Sequence, residues 1–301
     1  MKHLLKLMDM SPEEINEILN LADQLKYEKR NGIEHHHLKG KTLGMIFTKS
    51  STRTRVSFEV GMYDLGGTAL FLSANDIQLG RGEPVEDTAR VLSGYLDGIM
   101  IRTYKQSDVE TLADYGSIPI INGLTDYCHP CQVLADLMTI REFKGSIKGH
   151  KLCYIGDGNN MANSLIVGGI KMGMSVSIGC PDSHQPDSEI MEWASKNGDF
   201  TCTSDIYEAA KDADVLYTDV WASMGQESEA ERRKKIFAGY QINDGIMAVA
   251  KPDAMVLHCL PAHREEEITA KVFEEHAKEI FEEAENRLHA QKAVLVKLLK
   301  D

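Results

Sequence analysis

Short runs of aliphatic and β-branched residues alternate along most of the chain with stretches whose apolar positions recur every three to four residues. The runs predict strands at Thr42–Phe47, Thr68–Leu72, Asp97–Arg102 and Ile118–Ile121 in the first half. A second series follows at Lys151–Ile155, Ser175–Ile178, Phe200–Thr203, Val215–Thr218 and Met255–His258. Helical patterns fall between them, notably Ser51–Leu65, Pro84–Tyr95 with its proline near the first turn, and Pro130–Phe143, which stops before Lys144-Gly145. The stretch Glu282–Leu299 reads as one amphipathic helix, expected to pack back across both domains. Such alternation predicts an α/β protein with two doubly wound parallel-sheet domains. Because these sheets bind ligands beyond the carboxyl ends of their strands, the active site is expected in the cleft between the domains.

The polar residues with chemical potential sit where that rule wants them. Lys49-Ser-Ser-Thr-Arg-Thr-Arg55 follows one strand and opens a helix. A helix start offers unpaired N–H groups and the positive end of the dipole, to which Ser51, Thr52 and Thr54 add hydroxyls and Arg53 a planar fork, a combination suited to a phosphate ester or acyl phosphate. Positions 53 and 55 lie about 200° apart on a helix, so Arg53 is assigned to the ligand and Arg55 to a structural ion pair. The GxxxxGK[ST] spacing of a nucleotide triphosphate loop is absent. Gly156-Asp-Gly-Asn-Asn160 also joins a strand to a helix, but without the third glycine of a dinucleotide fingerprint, and its asparagines suit a carboxylate better than a pyrophosphate. Arg102 and His258-Cys-Leu-Pro261 end strands, while His129-Pro-Cys-Gln132 and Asp219-Val-Trp-Ala-Ser-Met-Gly225 follow them. The polar stretch Gln226–Lys235 has the composition of a mobile flap.

Composition narrows the partners. A net charge of −13 argues against nucleic acid and makes any anionic substrate dependent on a local basic pocket. No run approaches the ~18 apolar residues of a membrane span and the amino terminus lacks a signal-peptide core, so a cytoplasmic protein is expected. The six cysteines lack the spacing of a secreted disulfide framework and are expected to be reduced. Cys128-His-Pro-Cys131 has the spacing of a redox pair or half of a zinc site, but a second cysteine pair is missing, and His35-His36-His37 lies in a polar loop; neither metal nor cofactor is expected.

Taken together, Ser51-Thr-Arg-Thr-Arg-Val-Ser-Phe-Glu59, His129-Pro-x-Gln132, Asp219-x-Trp-x-Ser-Met-Gly225 and His258-Cys-Leu-Pro261 resemble the transcarbamylase family across nearly the whole chain, the last two motifs pointing to its ornithine branch. The resemblance implies a carbamoyl phosphate-binding domain over residues 1–145, with the helix 284–301 packing back on it, and an ornithine-binding domain over 146–283. It implies Ser51, Thr52, Arg53 and Thr54 on the phosphate and Arg102, His129 and Gln132 on the carbamoyl group. Asn160, Asp219, Ser223 and Met224 would hold ornithine, and Cys259, Leu260 and Arg287 would line the reacting centre. It further implies a homotrimer or multiple of trimers, with Gln78 entering a neighbour's site, and a role in arginine metabolism through citrulline and phosphate. Aspartate or putrescine as acceptor, and a sensor without turnover, are the rival readings.

Overall fold

The computed structural model describes residues 1–222 and 229–300. Contacts divide the chain into two compact units, Met1–Met138 with Asn286–Asp301, and Thr139–Glu285.

The first unit starts with α1 (Pro12–Arg30), a helix that the strand-centred reading passes over. Its amino end carries a capping box: Ser11 Oγ accepts from the Glu14 amide at 3.2 Å, and the Glu14 carboxylate accepts from the Ser11 amide at 3.0 Å. Ile15, Ile18, Leu19, Ala22 and Leu25 form its buried face. Then come β1 (Thr42–Phe47), α2 (Thr52–Asp64), β2 (Thr68–Ser73), α3 (Val85–Ser93), β3 (Gly98–Arg102), α4 (Gln106–Tyr115), β4 (Ile120–Leu124) and the start of α5 (Pro130–Lys144). β4 begins two residues later than the apolar run suggests. Pro119 has no N–H for the ladder, and only its carbonyl takes part, accepting from Ile99.

The four strands are parallel in the order β2-β1-β3-β4. The chain moves outward from β1 to β2, then returns to lay β3 on the other side of β1, with Phe47 opposite Arg102. The loops leaving β1 and β3 therefore diverge and open a crevice at this switch point.

The second unit contains β5 (Lys151–Ile155), α6 (Asn160–Lys171), β6 (Ser175–Gly179), α7 (Ser188–Asn197), β7 (Phe200–Thr203), α8 (Ile206–Ala210), β8 (Val215–Thr218), α9 (Ala230–Ile236), α10 (Asp244–Val249), β9 (Met255–His258), α11 (Ala270–Glu275) and the first part of α12 (Ala277–Leu299). Its parallel order is β7-β6-β5-β8-β9. Ile155 faces Thr218 across a second switch point, and Thr218 faces His258 on its other side. Ile155, Leu216, Val256, Ile246, Ile268 and Phe273 belong to the core beneath one face.

Two expectations change in detail. Ser223, Met224 and the beginning of the expected flap, residues 226–228, lie outside the described residues. The rest of that stretch, from Ala230, is helical, and Arg233 is buried against Asp157 and the Trp221 carbonyl rather than waving in solvent. A run of charges disguised one anchoring arginine. At the carboxyl end, α12 begins at Ala277, earlier than predicted. Within the first unit, Asn286 on α12 accepts from Lys26 of α1 at 2.7 Å. Gly61 on α2 lets α12 approach, since a β-carbon there would stand 3.3 Å from the Lys292 side chain. No helix among the described residues is long and apolar enough to cross a membrane.

Candidate active site

In the first unit, the loop after β1 turns into α2 with Ser51 as its cap, the Ser51 hydroxyl accepting from the Thr54 amide at 3.2 Å. Thr54 is buried one turn into the helix. Its hydroxyl oxygen accepts from Arg102 Nη1 at 3.5 Å and from Arg287 Nη2 at 3.2 Å. With both lone pairs engaged, its O–H remains as a donor. Arg287 Nη1 also donates to Gln132 Oε1 at 2.7 Å, so residues from four parts of the chain join in one network around the Thr54 hydroxyl.

A buried frame holds them. Gln132 Nε2 donates to Asp136 at 2.8 Å, Arg287 Nε donates to Gln291 at 2.9 Å, and Gln291 Nε2 donates to Ser57 at 2.7 Å. Sequence reading missed Asp136, Gln291 and Ser57. Their signal was the four-residue spacing that puts Asp136 one turn beyond Gln132 and Gln291 one turn beyond Arg287.

His129, just before α5, is buried, and its imidazole is held well below the ordinary value of 6.5, first by burial and then by the charges of Arg287, Arg102 and Arg53. It is a neutral ring in a positive field. Two buried guanidiniums, a third in the first turn of α2 and the positive end of that helix together favour an anionic ligand. Arg55, in contrast, pairs with Glu59 at 3.1 Å and lies over the Phe71 ring, as its helical position requires. Lys49 turns away to Asp126 and the Tyr104 ring. Gln78 sits in a 3-10 turn, Gln78–Arg81, exposed, and among the described residues no hydrogen bond joins its side chain to the cradle.

Cys128 and Cys131, buried on either side of His129-Pro130, have thiols pushed up to about 12 by burial. They look to different partners, Cys128 to the Leu5 carbonyl and Cys131 to the Asn122 carbonyl.

In the second unit, Asp219 follows β8 at the switch point. Its Oδ1 accepts from its neighbour's amide, Val220, at 2.8 Å and from the Cys259 thiol at 3.1 Å, while Oδ2 accepts from Asn159 Nδ2 at 2.9 Å. Asn159 Oδ1 caps α6 through the Met161 and Ala162 amides, so one side chain starts the helix and aims the carboxylate. Asn160 is the first residue of α6, half-buried. Asn163, considered with it at the sequence level, accepts from the Asp187 amide at 2.9 Å and so anchors the 180–187 loop.

The loop after β9 is fixed by buried groups. His258 Nε2 lies 2.9 Å from Glu267, its Nδ1 accepts from the Leu260 amide at 2.9 Å, and its own amide donates to Glu283 at 2.9 Å. Tyr217 donates to the other oxygen of Glu283. Leu260 is held at φ 58°, a region a branched side chain avoids unless its surroundings impose it, and the His258 contact does so. Asp219, His258 and Cys259 present ligand atoms close enough to hold a metal ion, as do His263, Glu266 and Glu267. The thiol and carboxylate of the first group already hydrogen-bond to each other.

Residues 2–142 match the family model described as the carbamoyl-P binding domain of aspartate/ornithine carbamoyltransferase, and residues 148–298 match its Asp/Orn binding domain. The chain is 55% identical to an ornithine carbamoyltransferase of Oceanobacillus iheyensis over 305 residues, covering 100% of this chain and 95% of that protein. It is 55% identical to an anabolic ornithine carbamoyltransferase of Pyrococcus furiosus, covering 98% of this chain and 95% of the relative. A solved structure of ornithine carbamoyltransferase from Pyrococcus furiosus superposes with a TM-score of 0.94 at 54% identity, covering 99% of this chain and 97% of that one.

Proposed function

The chain belongs to the aspartate/ornithine carbamoyltransferase family, and on that premise we propose that it transfers the carbamoyl group of carbamoyl phosphate to the side-chain amine of L-ornithine, giving citrulline and phosphate. The observation that carries the reading is the convergence of Arg102 and Arg287 on the Thr54 hydroxyl at the start of α2. Ser51, Thr52, Arg53 and Thr54 hold the phosphate, and Arg102, His129, Gln132 and Arg287 hold the carbamoyl end. In the second unit Asp219 takes the α-ammonium and Asn160 the carboxylate of ornithine, a role Ser223 and Met224 share, and Cys259 and Leu260 line the reacting centre. The domains are then residues 1–145 with 284–301 for carbamoyl phosphate and 146–283 for ornithine.

Attack of the amine on the carbamoyl carbon forms a tetrahedral oxyanion. The Thr54 hydroxyl and Arg102 meet the developing charge as preorganised donors, and a neutral His129 serves as a hydrogen-bond donor rather than an acid. Collapse of the intermediate expels phosphate into the Arg53 cradle. The amine must first lose a proton, which at pH 7 costs roughly 4–5 kcal/mol for a lysine-like group. The Cys259 thiol already donates its proton to Asp219, so it is not poised as a base, and the leaving phosphate receives the proton instead.

Assembly belongs to the same proposal: three copies associate through the β2 edge and the outer face of α2, and Gln78 serves a neighbouring copy's site. Exposed Leu70, Phe71 and Val56 on those elements support it. An acceptor panel of ornithine, aspartate, putrescine and N-acetylornithine with carbamoyl phosphate tests the reaction. Citrulline from ornithine alone is expected; carbamoyl aspartate or carbamoyl putrescine as the main product would refute the acceptor assignment, and no product from any amine would leave only a sensor.

A further inference from the structure

The sequence motif Cys128-x-x-Cys131 draws attention as a redox pair, yet its thiols are buried and look to different partners. The sheet creates a different pair from cysteines far apart in the chain. Register sets Ile178 of β6 opposite Cys202 of β7, and alternation along β6 returns Cys180 to the same face as Cys202. Their sulfurs stand 3.7 Å apart, both as free thiols. Disulfide bonding requires a further approach of roughly 1.7 Å, within reach of side-chain rotation and small loop movement. Cys180 is buried and Cys202 half-buried, so a reagent arriving from solvent meets Cys202 first.

We propose that Cys180 and Cys202 form a reversible thiol–disulfide modification site, oxidised by a low-molecular-weight disulfide such as glutathione disulfide. Cys202 is the attacking thiol. With the Cys180 S–H as donor, the contact holds the Cys202 pKa below the ordinary thiol value and so favours its thiolate, while Cys180 itself is pushed up by that same contact and by burial. The Cys202 thiolate attacks one sulfur of glutathione disulfide, that S–S bond breaks, and one glutathione thiolate leaves and takes up the proton from Cys202. Cys180 then gives its proton to the second glutathione as its sulfur attacks Cys202 Sγ. The two protein thiols lose two electrons, and one glutathione disulfide becomes two glutathione thiols.

The bond would act on the loop that leaves β6. This loop accepts the Gly158 amide on the His184 carbonyl at 2.9 Å and donates the Asp187 amide to Asn163 at 2.9 Å. Gly158 immediately precedes Asn159, the residue that aims Asp219. A change in ornithine KM on oxidation follows, and this second half rests on the function proposed above.

The test treats the native enzyme with glutathione disulfide, maps its cysteines by peptide mass spectrometry and reverses the reaction with dithiothreitol. A Cys180–Cys202 cross-link is expected in the wild type. In Cys180→Ser a stable glutathione adduct accumulates on Cys202, and in Cys202→Ser no adduct forms at Cys180. Absence of the cross-link from folded enzyme, or its appearance only after denaturation, would overturn the site. Kinetically, the oxidised wild type shows a several-fold change in ornithine KM that dithiothreitol reverses, with carbamoyl phosphate KM unchanged. If the Cys180→Ser/Cys202→Ser double variant responds to oxidant equally, the kinetic effect belongs to another thiol and that half falls, while the mapped cross-link stands independently of the substrate assignment.

Discussion

His129 shows how one residue reports on a whole site. Burial and three guanidiniums keep its ring neutral in the fold, whereas in the unfolded chain an imidazole binds a proton near pH 6.5. As pH falls through about 6.5 the unfolded chain takes up a proton that the folded chain refuses, so the stability linked to this residue is present above that pH and declines below it. His129→Gln should therefore flatten part of the fall in Tm between pH 7 and 5 and should lower kcat at every pH; a Tm profile parallel to wild type would contradict the neutral buried ring. Asp219 gives the complementary lesson. Its place after a strand was legible, but Asn159, read with its neighbouring asparagines as suited to a substrate carboxylate, instead caps α6 and orients Asp219, a partner 60 positions away that gives no local signal.

At the scale of elements, the turn from β5 to α6 is set by space as well as hydrogen bonds. A β-carbon on Gly158 would lie 2.3 Å from the Gln185 carbonyl carbon and the Pro186 nitrogen, and 2.5 Å from the His184 oxygen, all backbone atoms that yield little. Gly158→Ala should cost about 1–3 kcal/mol of stability and raise ornithine KM more than carbamoyl phosphate KM, measurable by thermal melts and steady-state kinetics. This glycine was visible only as a failed dinucleotide motif. Strands buried on both faces were legible because they read as unbroken apolar runs, and α2 and α5 because capping hydroxyls or proline mark their starts. α1 carried an equally clear signature in Ser11-Pro-Glu-Glu14, and α9 was obscured because its lysines and arginines match a solvated loop. The supporting shell of Glu283, Glu267 and Gln291 was hidden for a different reason: a buried carboxylate or amide on a helix or in a turn looks like any surface residue until its partner is placed.

For the molecule as a whole, β2 is the unusual strand. It closes one side of the first unit's sheet, yet Leu70 and Phe71 remain 43% and 39% exposed, with Val56 on α2 at 50%. Such an apolar edge invites association unless it is covered. On the assembly proposed above, Phe71→Lys combined with Val56→Glu shifts sedimentation velocity from trimer to monomer and removes most activity; an unchanged sedimentation coefficient would place the assembly elsewhere.

The bond between Cys259 and Asp219 has one more implication. The Asp219 carboxylate, proposed above to receive the α-ammonium, is already satisfied by a thiol, an amide and an asparagine. A newcomer bearing positive charge offers a stronger partner than the S–H it displaces, whereas a deaminated mimic of similar shape must break that bond and leaves nothing in exchange, a deficit of about 1–3 kcal/mol. In that proposed role, Asp219 screens amino acids by charge before shape is consulted.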